Sequence, residues 1–273
     1  MKIVKDTKEL RDVVGNFSGS VGFVPTMGAL HQGHLSLIQK AKMENKHVVV
    51  SIFVNPTQFL PGEDLDKYPK QEETDKKLCE EAGVDTLFMP KISSMYYHNE
   101  VKLKAPSYLG FILEGKCRPG HFDGVVQIVM KLLNLVQPNR AYFGKKDAQQ
   151  LVILQKMVKD LFLPYEIVPV ETVRDDDGLA LSSRNIYLST NGRKRALSIS
   201  HALKTASKLI TKGELSSDTI KAKMFEVMKD IDVEYIAIVD RDFKPIKKIE
   251  IENSIILVAA KVGQTRLIDN LWI

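Results

Sequence analysis

The sequence predicts an α/β protein, a parallel-sheet domain followed by a smaller α+β domain. Three observations predict it. Up to about residue 170, short β-branched and apolar runs alternate with segments of helical apolar spacing. A small-residue turn, Pro25-Thr26-Met27-Gly28-Ala29-Leu30-His31-Gln32-Gly33-His34-Leu35, joins one such run to one such helix. Beyond Thr190 the order changes to two helices followed by strands, the segregation of a small α+β unit. The domains expected are 1–172 and 173–273, with the charged turn Arg174-Asp175-Asp176-Asp177-Gly178 at the boundary.

Taken in order, Asp6 to Val14 has the spacing of a short helix with Thr7 as its cap. Val21-Gly22-Phe23-Val24 reads as a buried strand, and Leu35 to Met43 as the helix after the turn. His47 to Val54 is a β-branched run suited to a parallel strand covered on both faces. It ends in Asn55-Pro56-Thr57-Gln58-Phe59, which places polar side chains at a carboxyl edge, where open α/β sheets bind ligands. A polar loop, Gly62 to Pro69, precedes a helix over Glu72 to Glu81 and a strand over Thr86 to Met89. Residues 91–124 are less regular. A helix is predicted from Val125 to Val136, and Arg118-Pro119-Gly120-His121 before it makes its start a second anion-facing candidate. Ala141-Tyr142-Phe143 is a short strand, Gln149 to Phe162 a helix, and Tyr165 to Val170 the last strand of this layer. Helices near Arg193 to Thr211 and Asp218 to Lys229, with strands at Val233 to Val239 and Ile255 to Ala260, make the smaller domain.

Bulk properties narrow the function classes. The 273 residues are 44% hydrophobic and 27% charged, ordinary for a globular chain with a sizeable core. The net charge of +5 is spread among 34 acidic residues and forms no basic stripe, which argues against a nucleic-acid partner and suits small anionic substrates. Cys79 and Cys117 show neither metal-ligand spacing nor a disulfide framework, as expected in a reducing cytoplasm. Met1 runs directly into charged residues and no stretch approaches ~20 apolar residues, so no membrane association is expected.

The chemistry concentrates at the turn. Glycine there lets backbone approach a ligand, the helix start aims N–H groups at an anion, and His31 and His34 add donors able to carry charge. Such a site suits a nucleotide in a phosphate-handling enzyme. In Gly144-Lys145-Lys146-Asp147, a lysine supplies a point cation for phosphate and an aspartate a ligand for magnesium; the alternative is an exposed ion pair. Ser182-Ser183-Arg184 offers hydroxyls and a guanidinium to a triphosphate, or else caps a helix. Gln58 and Gln150 are neutral amides, suited to a hydroxy acid whose carboxylate must stay nucleophilic; ordinary surface glutamine is the alternative. The run Asp175–Asp177 reads as a solvated turn.

Six segments together carry a resemblance. They are Pro25 to His34, Phe53 to Phe59, Asp64-Leu65-Asp66-Lys67-Tyr68-Pro69, Arg118 to Val125, Tyr142 to Gln150, and Leu181-Ser182-Ser183-Arg184-Asn185. In this order they resemble the pantothenate synthetase (pantoate–β-alanine ligase) family of the HxGH nucleotidyltransferase superfamily. The resemblance implies a Rossmann-like catalytic domain with a C-terminal lid domain, and a cytoplasmic homodimer. It also implies ATP as co-substrate with Mg²⁺, and pantoate and β-alanine as substrates. The implied product is pantothenate, a coenzyme A precursor, made through a pantoyl adenylate with release of pyrophosphate and AMP. Carried onto this chain, it places ATP on Met27, Gly28, Ala29, Leu30, His31, Gln32, Gly33 and His34. Gly144, Lys145, Lys146, Asp147, Val173, Leu181, Ser182, Ser183 and Arg184 complete that site. Gln58 would contact both pantoate and β-alanine, Gln150 would contact pantoate, and Asp147 is the implied magnesium ligand. His34, His31, Lys146 and Arg184 are the implied catalytic groups. Two positions depart from the family's usual residues: Lys145, where Glu is frequent, and Leu181, where Met is. The rival readings are a nucleotidyltransferase that stops at nucleotide transfer, an RNA-binding module, and a nucleotide sensor without turnover.

Overall fold

Six strands run parallel in one sheet: β1 (Lys2–Val4), β2 (Val21–Thr26), β3 (His47–Ile52), β4 (Thr86–Phe88), β5 (Arg140–Gly144) and β6 (Glu166–Val170). The structure, a computed structural model, describes residues 1–273. Four consecutive residues of β3 are buried, which is why its sequence is a valine run rather than an alternation. The strand order is β1-β4-β3-β2-β5-β6. The sheet therefore grows to one side of β2 through β3 and to the other through β5. Ligands of open α/β sheets sit outside the carboxyl ends of the strands at such a reversal. Here those ends are Thr26, entering the His31–His34 turn, and Gly144, entering Lys145.

Seven helices join these strands: α1 (Thr7–Gly15), α2 (Gln32–Glu44), α3 (Glu72–Glu81), α4 (Ile92–Met95), α5 (Glu114–Cys117), α6 (His121–Val136) and α7 (Ala148–Asp160). Val24, Ile38, Ala41, Val48, Val50, Leu87 and Tyr142 form the centre of the core under α2. Two sequence expectations are corrected here. The cap of α1 is Asp6, whose Oδ1 accepts from Lys8 N at 2.8 Å and Glu9 N at 3.1 Å; Thr7 is already helical. Helix α6 starts at His121, four residues before the apolar spacing begins, because Gly120 takes up φ +85° and turns His121 and Phe122 into the core.

The chain divides into two compact units, Met1–Lys145 with Gln149–Glu171, and Lys146–Ala148 with Thr172–Ile273. The second unit packs α8 (Thr190–Thr211) and α9 (Ser217–Val227) on an antiparallel sheet of β7 (Asp232–Val239), β8 (Ile255–Val262) and β9 (Thr265–Trp272). Ile199, Ala202, Ala206, Ile220, Met224, Ile256 and Val258 fill its core. The α/β plus α+β fold class expected from sequence is what the structure has. Strand β9 was not anticipated; it pairs with β8 along its whole length, from Val262↔Thr265 to Ile255↔Trp272, through a two-residue hairpin at Gly263-Gln264. No helix is long and apolar enough to cross a membrane.

Candidate active site

After β2 the chain turns through Gly28 at φ +86° and Ala29 at φ +50°. A left-handed alanine costs about 1 kcal/mol or more, so something must hold the turn. That residue is Asp75 on α3, only 2% exposed. Its Oδ2 accepts from Ala29 N at 2.9 Å and its Oδ1 from Leu30 N at 2.8 Å. A Cβ on Gly28 would come within 3.0 Å of the same carboxylate. Burial pushes the Asp75 carboxyl up, and the two N–H bonds oppose that rise. Sequence reasoning missed Asp75, since one acid among Glu72, Glu73 and Asp75 in a helix's first turn looks like dipole compensation.

The turn delivers the two histidines to the start of α2. His31 is its N-cap: the ring Nδ1 accepts from Gly33 N at 3.1 Å, while His34 Nδ1 accepts from His31 N at 3.3 Å. The ring centroids stand 4.1 Å apart. A nitrogen that accepts carries no proton, so in this geometry each ring is neutral with its proton on Nε2. In this arrangement the pair presents its two Nε2–H groups as directional donors. Protonation of either Nδ1 would break the reciprocal cap.

At the end of β3, Pro56–Gln58 form one 3₁₀ turn against α6. The approach is close enough that a Cβ on Gly124 would lie 2.3 Å from Thr57 O, so no other residue fits. Asn55, 1% exposed, ties the turn together. Its Nδ2 donates to Gln58 Oε1 at 3.0 Å and to Gly124 O at 3.1 Å, and its Oδ1 accepts from Tyr96 OH at 2.5 Å. Gln58 Nε2 in turn reaches Met27 Sδ at 3.2 Å, so the amide of one strand end touches the turn of the next.

The second anion-facing helix start does not exist as expected. Arg118 is spent on Glu63 through a bidentate pair at 2.6 and 2.7 Å, and its third nitrogen lies 3.1 Å from His121 Nε2. Burial alone would raise the Glu63 carboxyl, but Arg118 outweighs it and holds it below the usual range. His121 Nδ1 donates to Gln58 O at 2.7 Å, and burial, then the Arg118 charge, bring its pKa down to about 4. These groups form a neutralised scaffold under Gln58.

Gln150 is half-buried and makes no side-chain hydrogen bond, whereas its neighbour Gln149 is fully engaged with Leu109 O, Ile112 O and Glu114 N. Lys145 pairs with Glu171. In the second unit, Lys146 Nζ lies 3.6 Å from Asp147 Oδ2, and Lys146 O accepts from Asn270 Nδ2 at 2.7 Å. Val173 O accepts from Leu181 N at 3.0 Å, closing a small hairpin with the Arg174↔Ala180 bridge. This leads into Ser182, which caps the 3₁₀ turn Ser183–Tyr187 by accepting from Arg184 N at 3.3 Å. Asp175 and Asp177 both pair with Arg193. No group of three acid, histidine or cysteine side chains is gathered as a metal cage. Asp147, with its side chain 45% exposed, is a single carboxylate, a donor set that fits magnesium carried mainly by phosphate oxygens.

Neutral donors at a helix start, at the reversal of a parallel sheet and beside a neutral amide, place the chain among α/β enzymes that use a nucleotide. Comparison with known proteins makes this specific. The family model described as pantoate-beta-alanine ligase matches residues 2–272. A pantothenate synthetase of Aliarcobacter butzleri is 59% identical over 273 residues, with all of both chains covered. One of Wolinella succinogenes is 57% identical over 274 residues, again with full coverage. Among solved structures, a pantothenate synthetase of Thermus thermophilus superposes with a TM-score of 0.95 at 43% identity, covering 100% of this chain and 99% of that one. The pantoate-beta-alanine ligase of Francisella tularensis, complexed with beta-gamma ATP and beta-alanine, gives 0.82 at 36%, covering 100% and 97%. The chain belongs to the pantoate–β-alanine ligase family, and is an ATP-dependent ligase that forms pantothenate.

Proposed function

We propose that this ligase works in two half-reactions. The pantoate carboxylate attacks the α-phosphorus of ATP, forming pantoyl adenylate as pyrophosphate leaves. The β-alanine amine then attacks the acyl carbon, and AMP leaves as the amide forms. A carboxylate is a weak nucleophile, so positioning and charge stabilisation carry the acceleration. The observation that supports this reading best is the Gln58 Nε2 contact with Met27 Sδ, which sets a substrate amide against the nucleotide turn. Within the first unit, the backbone of Met27–His34 and the Nε2–H groups of His31 and His34 take phosphate oxygens, and Gln58 and Gln150 hold pantoate, Gln58 also β-alanine. Gly144 and Lys145 of the first unit also contact ATP; within the second, Lys146, Ser182, Ser183 and Arg184 supply hydroxyls and cations to the triphosphate, and Val173 and Leu181 add further ATP contacts.

Asp147 would hold Mg²⁺ together with the phosphates; the ion supplies neutralisation of phosphate charge when bound. The anhydride is water-labile, and its protection is assigned to the region from residue 173 onward. A cytoplasmic homodimer that engages neither nucleic acid nor membrane completes the reading. The test is adenylate formation followed as pyrophosphate release. His34→Ala and Lys146→Ala should each slow it by about 10²-fold or more, the loss typical of one preorganised donor. Release at the wild-type rate by both would refute the assignment. Gln58→Ala should instead weaken use of pantoate and β-alanine.

A further inference from the structure

We infer that Asn270 is a positioning residue for Lys146, and that β9 thereby holds both second-unit segments assigned to the triphosphate. The inference rests on the proposed role of Lys146. Side chains alternate across a strand, and β9 obeys this from Thr265 to Ile268, buried and half-buried in turn. The alternation then fails: Asp269 and Asn270, adjacent and both polar, are each only 4% exposed. Buried polar groups require partners, and these two find theirs in the site segments. Asn270 Nδ2 donates to Lys146 O at 2.7 Å. Asp269 grips the Arg174 guanidinium at 2.6 and 2.9 Å while its Oδ1 also accepts from Asn270 N at 2.8 Å. Arg174 heads the hairpin that runs through Ala180 into Ser182.

Two consecutive residues of one strand thus fix the lysine's backbone and the entry to Ser182–Arg184 from a common base. The same contact accounts for Lys146–Ala148 packing with the second unit although the residues on either side belong to the first. A lysine stem is flexible, so its reach is set by where its backbone is pinned. A displacement of about 1 Å at such a group costs as much as 10²-fold in rate.

The experiment is a double-mutant cycle on pyrophosphate release, with Asn270→Leu and Lys146→Ala made singly and together. Thermal unfolding verifies the fold of each, and Asn270→Asp, which keeps the shape but loses the donor, serves if the leucine variant does not fold. Asn270→Leu is expected to lower kcat by about 10-fold, with KM for β-alanine unchanged and with less than about 2-fold further effect once Lys146 is alanine. Equal slowing in both backgrounds, or no slowing in either, would overturn the inference. Full activity of Lys146→Ala would instead remove the reading beneath it.

Discussion

Acid should loosen helix α6 of the first unit through its buried imidazole. His121 is 7% exposed, and its Nε2 lies 3.1 Å from the Arg118 guanidinium. Burial first, and then that charge, lower its pKa from 6.5 to about 4. The unfolded chain therefore takes up a proton near pH 6.5 and the folded chain only near pH 4. Between those values each pH unit downward favours the unfolded state by up to about 1.4 kcal/mol. Relative to pH 7, His121 alone removes about 2 kcal/mol at pH 5 and about 3 kcal/mol at pH 4. Glu63, whose carboxyl is held below the usual range, adds its loss only at lower pH, as its folded-state value is crossed. Work at pH 5 and above keeps the Glu63 contribution small, and comparison with a His121 variant isolates the histidine. The lone tryptophan, Trp272, belongs to the second unit and would report the wrong region. Hydrogen exchange of α6 amides at pH 7, 6 and 5 reads the correct one. In His121→Asn, which keeps a donor for Gln58 O, the pH dependence of α6 protection should be shallower by about 2 kcal/mol over this range. Identical dependence in both proteins, or an imidazole that titrates near 6.5 by NMR, would show that the ring is not held neutral.

Further outcomes follow from the same contacts. Gly124→Ala drives a methyl into Thr57 O and should cost about 1–3 kcal/mol while raising KM for pantoate; thermal unfolding and steady-state kinetics check both, and an unchanged melting temperature would mean the Gln58 turn yields freely. Asp75→Asn turns a donor toward one of the two N–H groups it now accepts from, so a loss of about 1–3 kcal/mol with a lower kcat is expected from denaturant unfolding and rate measurements. Cys79 is fully buried with its thiol pushed up to about 12, whereas Cys117 is exposed. Iodoacetamide should therefore add one group to the native protein by mass spectrometry, and rapid addition of two would contradict the burial.

What the sequence made legible was what local physics determines. The valine run of β3 announces a strand covered on both faces, and the turn of glycines and histidines announces a helix start. Residues whose roles depend on distant partners stayed hidden. Asp75 reads as a helix-start acid until Ala29 and Leu30 are seen to donate to it, 46 and 45 positions away. Arg118 and His121 have the chemistry of a phosphate site, and only the folded chain shows Glu63 consuming the guanidinium and burial discharging the imidazole. Strand β9 is hard to read from sequence because Asp269-Asn270 interrupts its apolar alternation, and in the folded chain that interruption marks its contacts with Arg174 and Lys146.

The link between Asn270 and Lys146 spans 124 positions of sequence, and this has a consequence for how the enzyme is made. On the ribosome, every strand of the parallel layer is translated before Asn270 is, so that layer can mature while the lysine's anchor does not yet exist. A nascent chain arrested at the Gly263 hairpin would hold a finished nucleotide turn and an unseated ammonium. On the role proposed for Lys146, competence to form the adenylate is then among the last properties the growing polypeptide acquires.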